Sequence, residues 1–244
     1  MIFEERCPMK AVYKRVLVKI SGEALAGEKK TGFDFDLVSD VCAEIIKCAR
    51  MGAQIGIVIG GGNFWRGVKD GAGKVERVSA DRMGMLATAM NCLAVADVFK
   101  QLGADARVMT AVDIQGVGER YDTRRSIEYL ERGSIVLFAC GTGQPFFSTD
   151  TAAVLRAAEI HADAILLAKN IDGVYSADPR EDAGAVKFDS ISYDEVIARH
   201  LAVMDTTATG LAMDNRIPVT VFALAEPENI GRVLAGEKLG TTVS

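Results

Sequence analysis

The sequence predicts an α/β protein built on an open, mainly parallel sheet with helices on both faces. Three observations carry that prediction. Segments of strand composition and helix composition alternate along most of the chain. Helical segments end repeatedly on a glycine, at Gly52, Gly103 and Gly133. Four segments set glycines beside charged or hydroxyl side chains just after a strand, where open α/β sheets bind their ligands.

The elements follow in order. Residues 16–20 read as the first strand. Leu37, Val38, Val41, Ile45 and Ala49 recur at helical spacing, and Arg50 and Gly52 supply a basic last turn and a stop. Residues 54–59 read as the second strand. Residues 80–102 read as a long helix with Met83, Leu86, Met90, Leu93 and Ala94 on one face, expected to fill core. A third strand at 107–110 precedes a short amphipathic helix at 123–132. A fourth strand at 135–139 leads to an alanine-rich helix at 151–162, and a fifth strand follows at 165–168. Residues 187–191 read as a hairpin arm, 193–199 and 206–215 as helices, 218–224 as a late strand and 230–235 as a last helix. The glycine-rich stretch 67–73 reads as a flap, not a boundary, so 1–244 is expected to be one domain.

Composition narrows the function. A chain of 244 residues that is 49% hydrophobic can bury a sizeable core. A net charge of −5 with no long basic run argues against nucleic acid and anionic membranes as partners. No apolar run reaches the about 18 residues of a spanning helix, and MIFEERCPMK lacks the hydrophobic stretch of a signal peptide. The scattered Cys7, Cys42, Cys48, Cys92 and Cys140 form no C-x-x-C and fit a reduced cytoplasm. His161 and His200 stand alone, so no resident metal is expected.

The motifs point to phosphate. Residues 141–153, GTGQPFFSTDTAA, join a strand to a helix with two glycines, the hydroxyls of Thr142, Ser148 and Thr149, and the free N–H groups of a helix start. Lys19 ends a strand just before Ser21 and Gly22, where an ammonium can neutralise transferring phosphoryl oxygens. Gly60, Gly61 and Gly62 offer consecutive N–H groups as an anion nest, a run that packing alone explains poorly. Arg66 offers a forked donor. Asp81, Asp150, Asp178 and Asp205 are the acidic candidates, and Asp150 and Asp205 each read equally as helix caps or as catalytic carboxylates. Phosphoryl transfer also needs Mg²⁺, which enters with the nucleotide. There is no Walker A motif, no G-x-G-x-x-G opening a helix, no G-x-S-x-G and no H-E-x-x-H.

Together KISGEAL at 19–25, GGGNFWRG at 60–67, DRMGMLAT at 81–88, GTGQPFFSTDTAA and DGVYSADP at 172–179 resemble the bacterial uridylate kinase branch of the amino acid kinase family. The resemblance runs from about Tyr13 to Thr242. It implies a three-layer sandwich with an acceptor lobe over about 13–165 and an ATP lobe over about 166–244. It implies a cytoplasmic enzyme that transfers the γ-phosphoryl group of ATP to UMP, with Mg²⁺. Lys19, Arg66, Asp150 and Asp205 match catalytic positions, Asp205 as the acid that orders the lysine. Lys19, Ile20, Ser21, Gly22, Gly62 and Arg66 match contacts to the ATP phosphates, and Lys169, Asn170, Tyr175 and Asp178 contacts to its adenosine. Gly61, Asp81, Thr142, Gly143, Gln144, Pro145, Phe146, Phe147, Ser148 and Thr149 match UMP contacts. Gly27, Glu28, Lys29, Lys30, Thr31 and Gly32 match an effector segment, in a branch that is typically a homohexamer activated by GTP and inhibited by UTP. The alternatives are an acyl-phosphate-forming relative, of acetylglutamate or aspartate kinase type, and a non-catalytic nucleotide sensor on the same fold.

Overall fold

The structure, a computed structural model, describes residues 10–66, 73–182 and 184–244. Its centre is β1 (Arg15–Ile20), every residue of which is buried. A strand covered on both faces needs apolar side chains in both directions, and VLV supplies them. On one side of β1 lie β2 (Gln54–Ile59), β5 (Ile135–Ala139), β3 (Ala106–Thr110) and the two-residue β4 (Glu119–Arg120). On the other lie β6 (Ala164–Lys169), β10 (Val219–Ala223), β11 (Thr241–Val243) and β9 (Ser190–Ile191). Within this nine-stranded sheet only β10 and β11 pair antiparallel. A separate antiparallel ribbon joins β7 (Val174–Tyr175) to β8 (Lys187–Phe188).

Helices cover both faces. Val16, Val18 and Ile20 of β1 point into one core, shared with α2 (Phe35–Arg50), α3 (Arg77–Gln101) and α8 (Asn229–Leu234). Leu17, between them, points into the other, shared with α5 (Thr149–Glu159), α6 (Tyr193–Ala198) and α7 (Thr206–Asp214). The short α1 (Gly22–Leu25) follows β1 directly, and α4 (Thr123–Glu131) precedes β5. The expected three layers are present.

Several details differ from the sequence reading. Met83, Leu86, Met90 and Leu93 do not fill the core; they are exposed, while Ala87, Cys92, Val95 and Phe99 carry the buried face of α3. Alanine, cysteine and a single phenylalanine fit against the sheet, and the longer side chains are left outside. By length and mean hydropathy α3 could cross a membrane; its packing on β2, β3 and β5 makes it a core helix. Residues 187–191 are not one arm but two pieces, β8 on the ribbon and β9 parallel to β11. The flap at 67–73 lies, apart from Gly73, outside the described residues.

Candidate active site

The register sets Lys19 opposite Val58 on β2 and Leu167 on β6, at the carboxyl end of the central strand. Its side chain shares the face of Leu17 and meets α5. Lys19 Nζ stands 2.5 Å from Asp150 Oδ1, with both side chains largely shielded from solvent. That oxygen takes no hydrogen bond among the described residues, so the ionic contact is what compensates it.

Asp150 does not cap its helix. Ser148 does: its hydroxyl accepts from Asp150 N and Thr151 N, both at 3.0 Å. The cap leaves the Asp150 carboxylate free to face Lys19. Asp205 does cap, accepting from Ala208 N at 3.0 Å at the start of α7. It also accepts from Thr151 Oγ1 at 3.1 Å and from the Ser148 hydroxyl. The carboxylate paired with Lys19 is therefore Asp150, not Asp205. Asp205 reaches the lysine only indirectly, by clasping the first turn of α5.

The glycine run has a packing reason after all. A Cβ on Gly22 would lie 2.2 Å from Gly60 O, and one on Gly61 would lie 2.9 Å from both Gly84 O and Ala87 Cβ. Close approach of β1, the glycine loop and α3 excludes side chains here. Two buried asparagines hold the loop. Asn63 Nδ2 donates to Asn91 Oδ1 at 2.9 Å and Asn91 Nδ2 to Asn63 Oδ1 at 2.8 Å. Asn91 also donates to Gly60 O at 2.6 Å, and Asn63 to Gly32 O at 2.8 Å, so all four amide hydrogens are used. Arg66 pairs with Glu23 at 2.9 Å and donates to Gly62 O at 3.3 Å.

The Lys19–Asp150 pair lines one cavity, and a second opens beside Ser148 and Thr149, next to Asp150 in the chain. The larger, of about 860 Å³, is lined by Lys19, Ser21, Asp150, Lys169, Asn170, Tyr175 and Asp178 among others. Its size suits a nucleotide. Ile20, Gly22, Gly62 and Arg66 do not line it; they support the turn behind. Tyr175 OH donates to Asp172 at 2.8 Å. A two-armed contact with Arg180 holds the Asp178 carboxyl down at about 2, well below the usual carboxylate range. Burial lowers the Lys169 ammonium below its ordinary value, and its Nζ donates to Val203 O.

The smaller cavity, of about 150 Å³, is lined by Gly61, Asp81, Thr142, Gln144, Phe147, Ser148 and Thr149, with Thr88 and Trp65 behind. Gly143, Pro145 and Phe146 are not on its wall. Asp81 lies inside α3, where Arg77 Nε reaches both carboxylate oxygens at 2.9 and 2.8 Å. Phe146 N also donates to Asp81 Oδ2 at 2.8 Å, which ties the 141–149 loop to α3 across the cavity. Phe146 adopts φ +73°, a strained value for a bulky residue, and is 65% exposed beneath the Arg77 guanidinium. Phe147 is likewise exposed, so neither ring fills core.

The segment 27–32 lines neither cavity. Gly27–Lys29 form a 3₁₀ turn, and Gly32 N donates to Asn63 O at 3.2 Å, which joins the segment to the glycine loop. Among the described residues no His, Cys, Asp and Glu side chains gather into a metal-holding group. Sequence reading gave no separate role to Asn63 and passed over Asn91, Arg77, Glu23 and Thr151. Asn91 carried a signal: it is an amide on the buried side of α3, among alanine, cysteine and valine.

A shielded lysine–aspartate pair at the strand ends of a parallel sheet, on the wall of a nucleotide-sized cavity, is the arrangement of a phosphotransferase. The chain belongs to the amino acid kinase family, whose profile matches residues 14–223. Uridylate kinases from two strains of Streptococcus thermophilus are 56% and 55% identical to it over 233 residues, covering 95% of each chain. A crystal structure of UMP kinase from Bacillus anthracis superposes with a TM-score of 0.91 at 38% identity, covering 95% of this chain and 96% of that one. One from Ureaplasma parvum gives 0.89 at 34% identity, covering 95% and 98%.

Proposed function

We propose that this chain transfers the γ-phosphoryl group of ATP to UMP, giving UDP and ADP. The observation that carries the proposal is the Lys19–Asp150 pair on the wall of the 860 Å³ cavity, with Ser148 and Thr149, next to Asp150 in the chain, on the wall of the 150 Å³ cavity. ATP occupies the larger, over residues 166–244, and UMP the smaller, over residues 13–165. A UMP phosphate oxygen attacks the γ-phosphorus while the bond to the β,γ-bridging oxygen breaks and ADP leaves with the electron pair. The attacking oxygen is already ionised at neutral pH, because the second phosphate pKa is about 6. No general base is needed, and the chemistry is positioning and charge neutralisation.

Lys19 supplies a positive charge at the phosphoryl group in transit. The start of α5, whose Asp150 and Thr151 N–H groups are capped by Ser148, adds a positive dipole end near the same space. Asp150 keeps the lysine in place, and Ser148, Thr151 and Asp205 keep Asp150 in place. Mg²⁺ bound with ATP would supply neutralisation of phosphate charge. Asp150, on the cavity wall beside Lys19, would be the carboxylate to hold it, in keeping with a metal held mainly by phosphates and water. Asp81 accepts from the UMP ribose, and the 142–149 loop faces the base.

The exposed row Met83, Leu86, Met90 and Leu93 supports a homohexamer, built with α3 between subunits. Segment 27–32, joined to the glycine loop through Asn63, is the proposed effector segment for GTP activation and UTP inhibition. The free, buried Cys42, Cys48, Cys92 and Cys140 support a cytoplasmic enzyme. Light scattering at the monomer mass of 26.1 kDa would overturn the assembly. A flat GTP titration would overturn the regulation separately.

The reaction is tested with ATP, Mg²⁺ and a panel of UMP, CMP, dTMP, N-acetylglutamate and aspartate. ADP release is expected with UMP in strong preference. Release only with the amino acids would make the chain an acyl-phosphate-forming kinase, and none with any acceptor, despite ATP binding, a sensor.

A further inference from the structure

We infer that Lys169 is a second phosphate-binding cation of the donor cavity, directed at the polyphosphate and not at the adenine; this rests on the ATP-site reading above. The first argument is register. Lys19 stands opposite Leu167, and Lys169 is two residues further along β6, so both lysines project from the same sheet face at adjacent strand ends. Asp150, on the helix covering that face, pairs with Lys19, and its charge also favours the charged form of Lys169.

The second argument is charge. The other charged groups on the cavity wall are already paired: Asp178 with Arg180, Asp172 with Lys187, Glu23 with Arg66, Arg199 with Glu195. What remains is two ammoniums, Lys19 and Lys169, against the single carboxylate of Asp150. Burial and the like charge of Lys19 both work against the charged form of Lys169, while Asp150 favours it. A partly shielded site with surplus positive charge calls for an anion.

The third argument is donor capacity. Among the described residues the Lys169 ammonium donates one hydrogen bond, to Val203 O. A protonated lysine has three donors. Among the described residues the other two have no protein acceptor, and phosphate oxygens would take them. An aromatic base edge offers nothing comparable to an ammonium.

The test separates base from phosphate. Dissociation constants are measured calorimetrically, without acceptor, for AMP, ADP and a non-hydrolysable ATP analogue, each with Mg²⁺, on wild type, Lys169→Met and Lys169→Arg. The loss in Lys169→Met should grow along the series, reaching roughly tenfold or more for the ATP analogue, the weight of a lost charge-assisted contact. Lys169→Arg should recover most of it. UMP affinity and the melting temperature of each variant check that the fold is kept. An equal loss along the series would mark a base contact or a packing role, and no loss at all would leave Lys169 without a donor role; either overturns the inference. Because no acceptor is present, failure of UMP as substrate would leave this result readable.

Discussion

Lys19→Met should separate stability from catalysis when it is combined with Asp150→Asn. The Lys19 and Asp150 side chains are only 9% and 17% exposed, and their charges lie 2.5 Å apart. Removing one partner of a fully buried pair costs about 3–5 kcal/mol. Here the pair borders an open cavity, and water can enter, so the cost of stranding Asp150 is nearer roughly 1–3 kcal/mol. For a chain of this size that lowers Tm by roughly 2–4 °C per kcal/mol. Asp150→Asn removes the stranded charge, so the double variant should regain most of the lost stability, a positive coupling in the double-mutant cycle. Activity should not return. Turnover falls roughly 10²–10³-fold when one preorganised charge donor is lost, and the double variant lacks it too. Thermal melts and kcat at saturating ATP, Mg²⁺ and UMP read both sides of the cycle. A single Lys19→Met variant with kcat within threefold of wild type would refute the catalytic role. Additive stability losses would refute the pairing.

Asp81→Ala should raise KM for UMP far more than for ATP, since Asp81 lines the smaller cavity and not the larger; the lost hydrogen bond is worth roughly 1.5–3 kcal/mol, and an effect confined to ATP would put Asp81 in the wrong half of the site. Gly22→Ala would set a methyl 2.2 Å from Gly60 O, so melting should show a loss of roughly 1–3 kcal/mol or more from overpacking, and an unchanged Tm would contradict the close approach. Burial pushes the Cys42 and Cys48 thiols up to about 12, so alkylation at pH 8, followed residue by residue by mass spectrometry, should spare both in the native protein and label both once it is unfolded.

Strand and helix periods carry most of this fold because parallel strands buried on both faces are written as continuous apolar runs. Residues 54–59 and 135–139 are strands with those bounds. What the periods miss is set by partners distant in sequence. β4 has two residues and β11 three, too short to show a pattern, and each exists because a neighbouring strand leaves an edge to pair. The outward methionine–leucine row of α3 carries helical spacing whether it meets a sheet or another surface, so period alone could not orient it. In the site, Lys19, the glycine run and the 141–149 loop were legible as residue types that phosphate chemistry requires. The division of labour among the acids was not. Ser148 takes the cap that Asp150 could have made, and that choice, which frees Asp150 for Lys19, depends on Asp205 arriving from α7, more than fifty residues later. The Asn63–Asn91 pairing was hidden too: Asn91 shows as an amide on the buried side of α3, but nothing local names Asn63 as its partner.

The most direct test of the central claim is to follow the phosphorus of both substrates as they react. With ATP, Mg²⁺ and UMP, ³¹P NMR should show the UMP signal replaced by the two signals of UDP, in step with conversion of ATP to ADP. Lys19→Met should leave both substrates unchanged over the same interval. Formation of ADP with free inorganic phosphate and intact UMP, or UDP formation undiminished in Lys19→Met, would contradict the account.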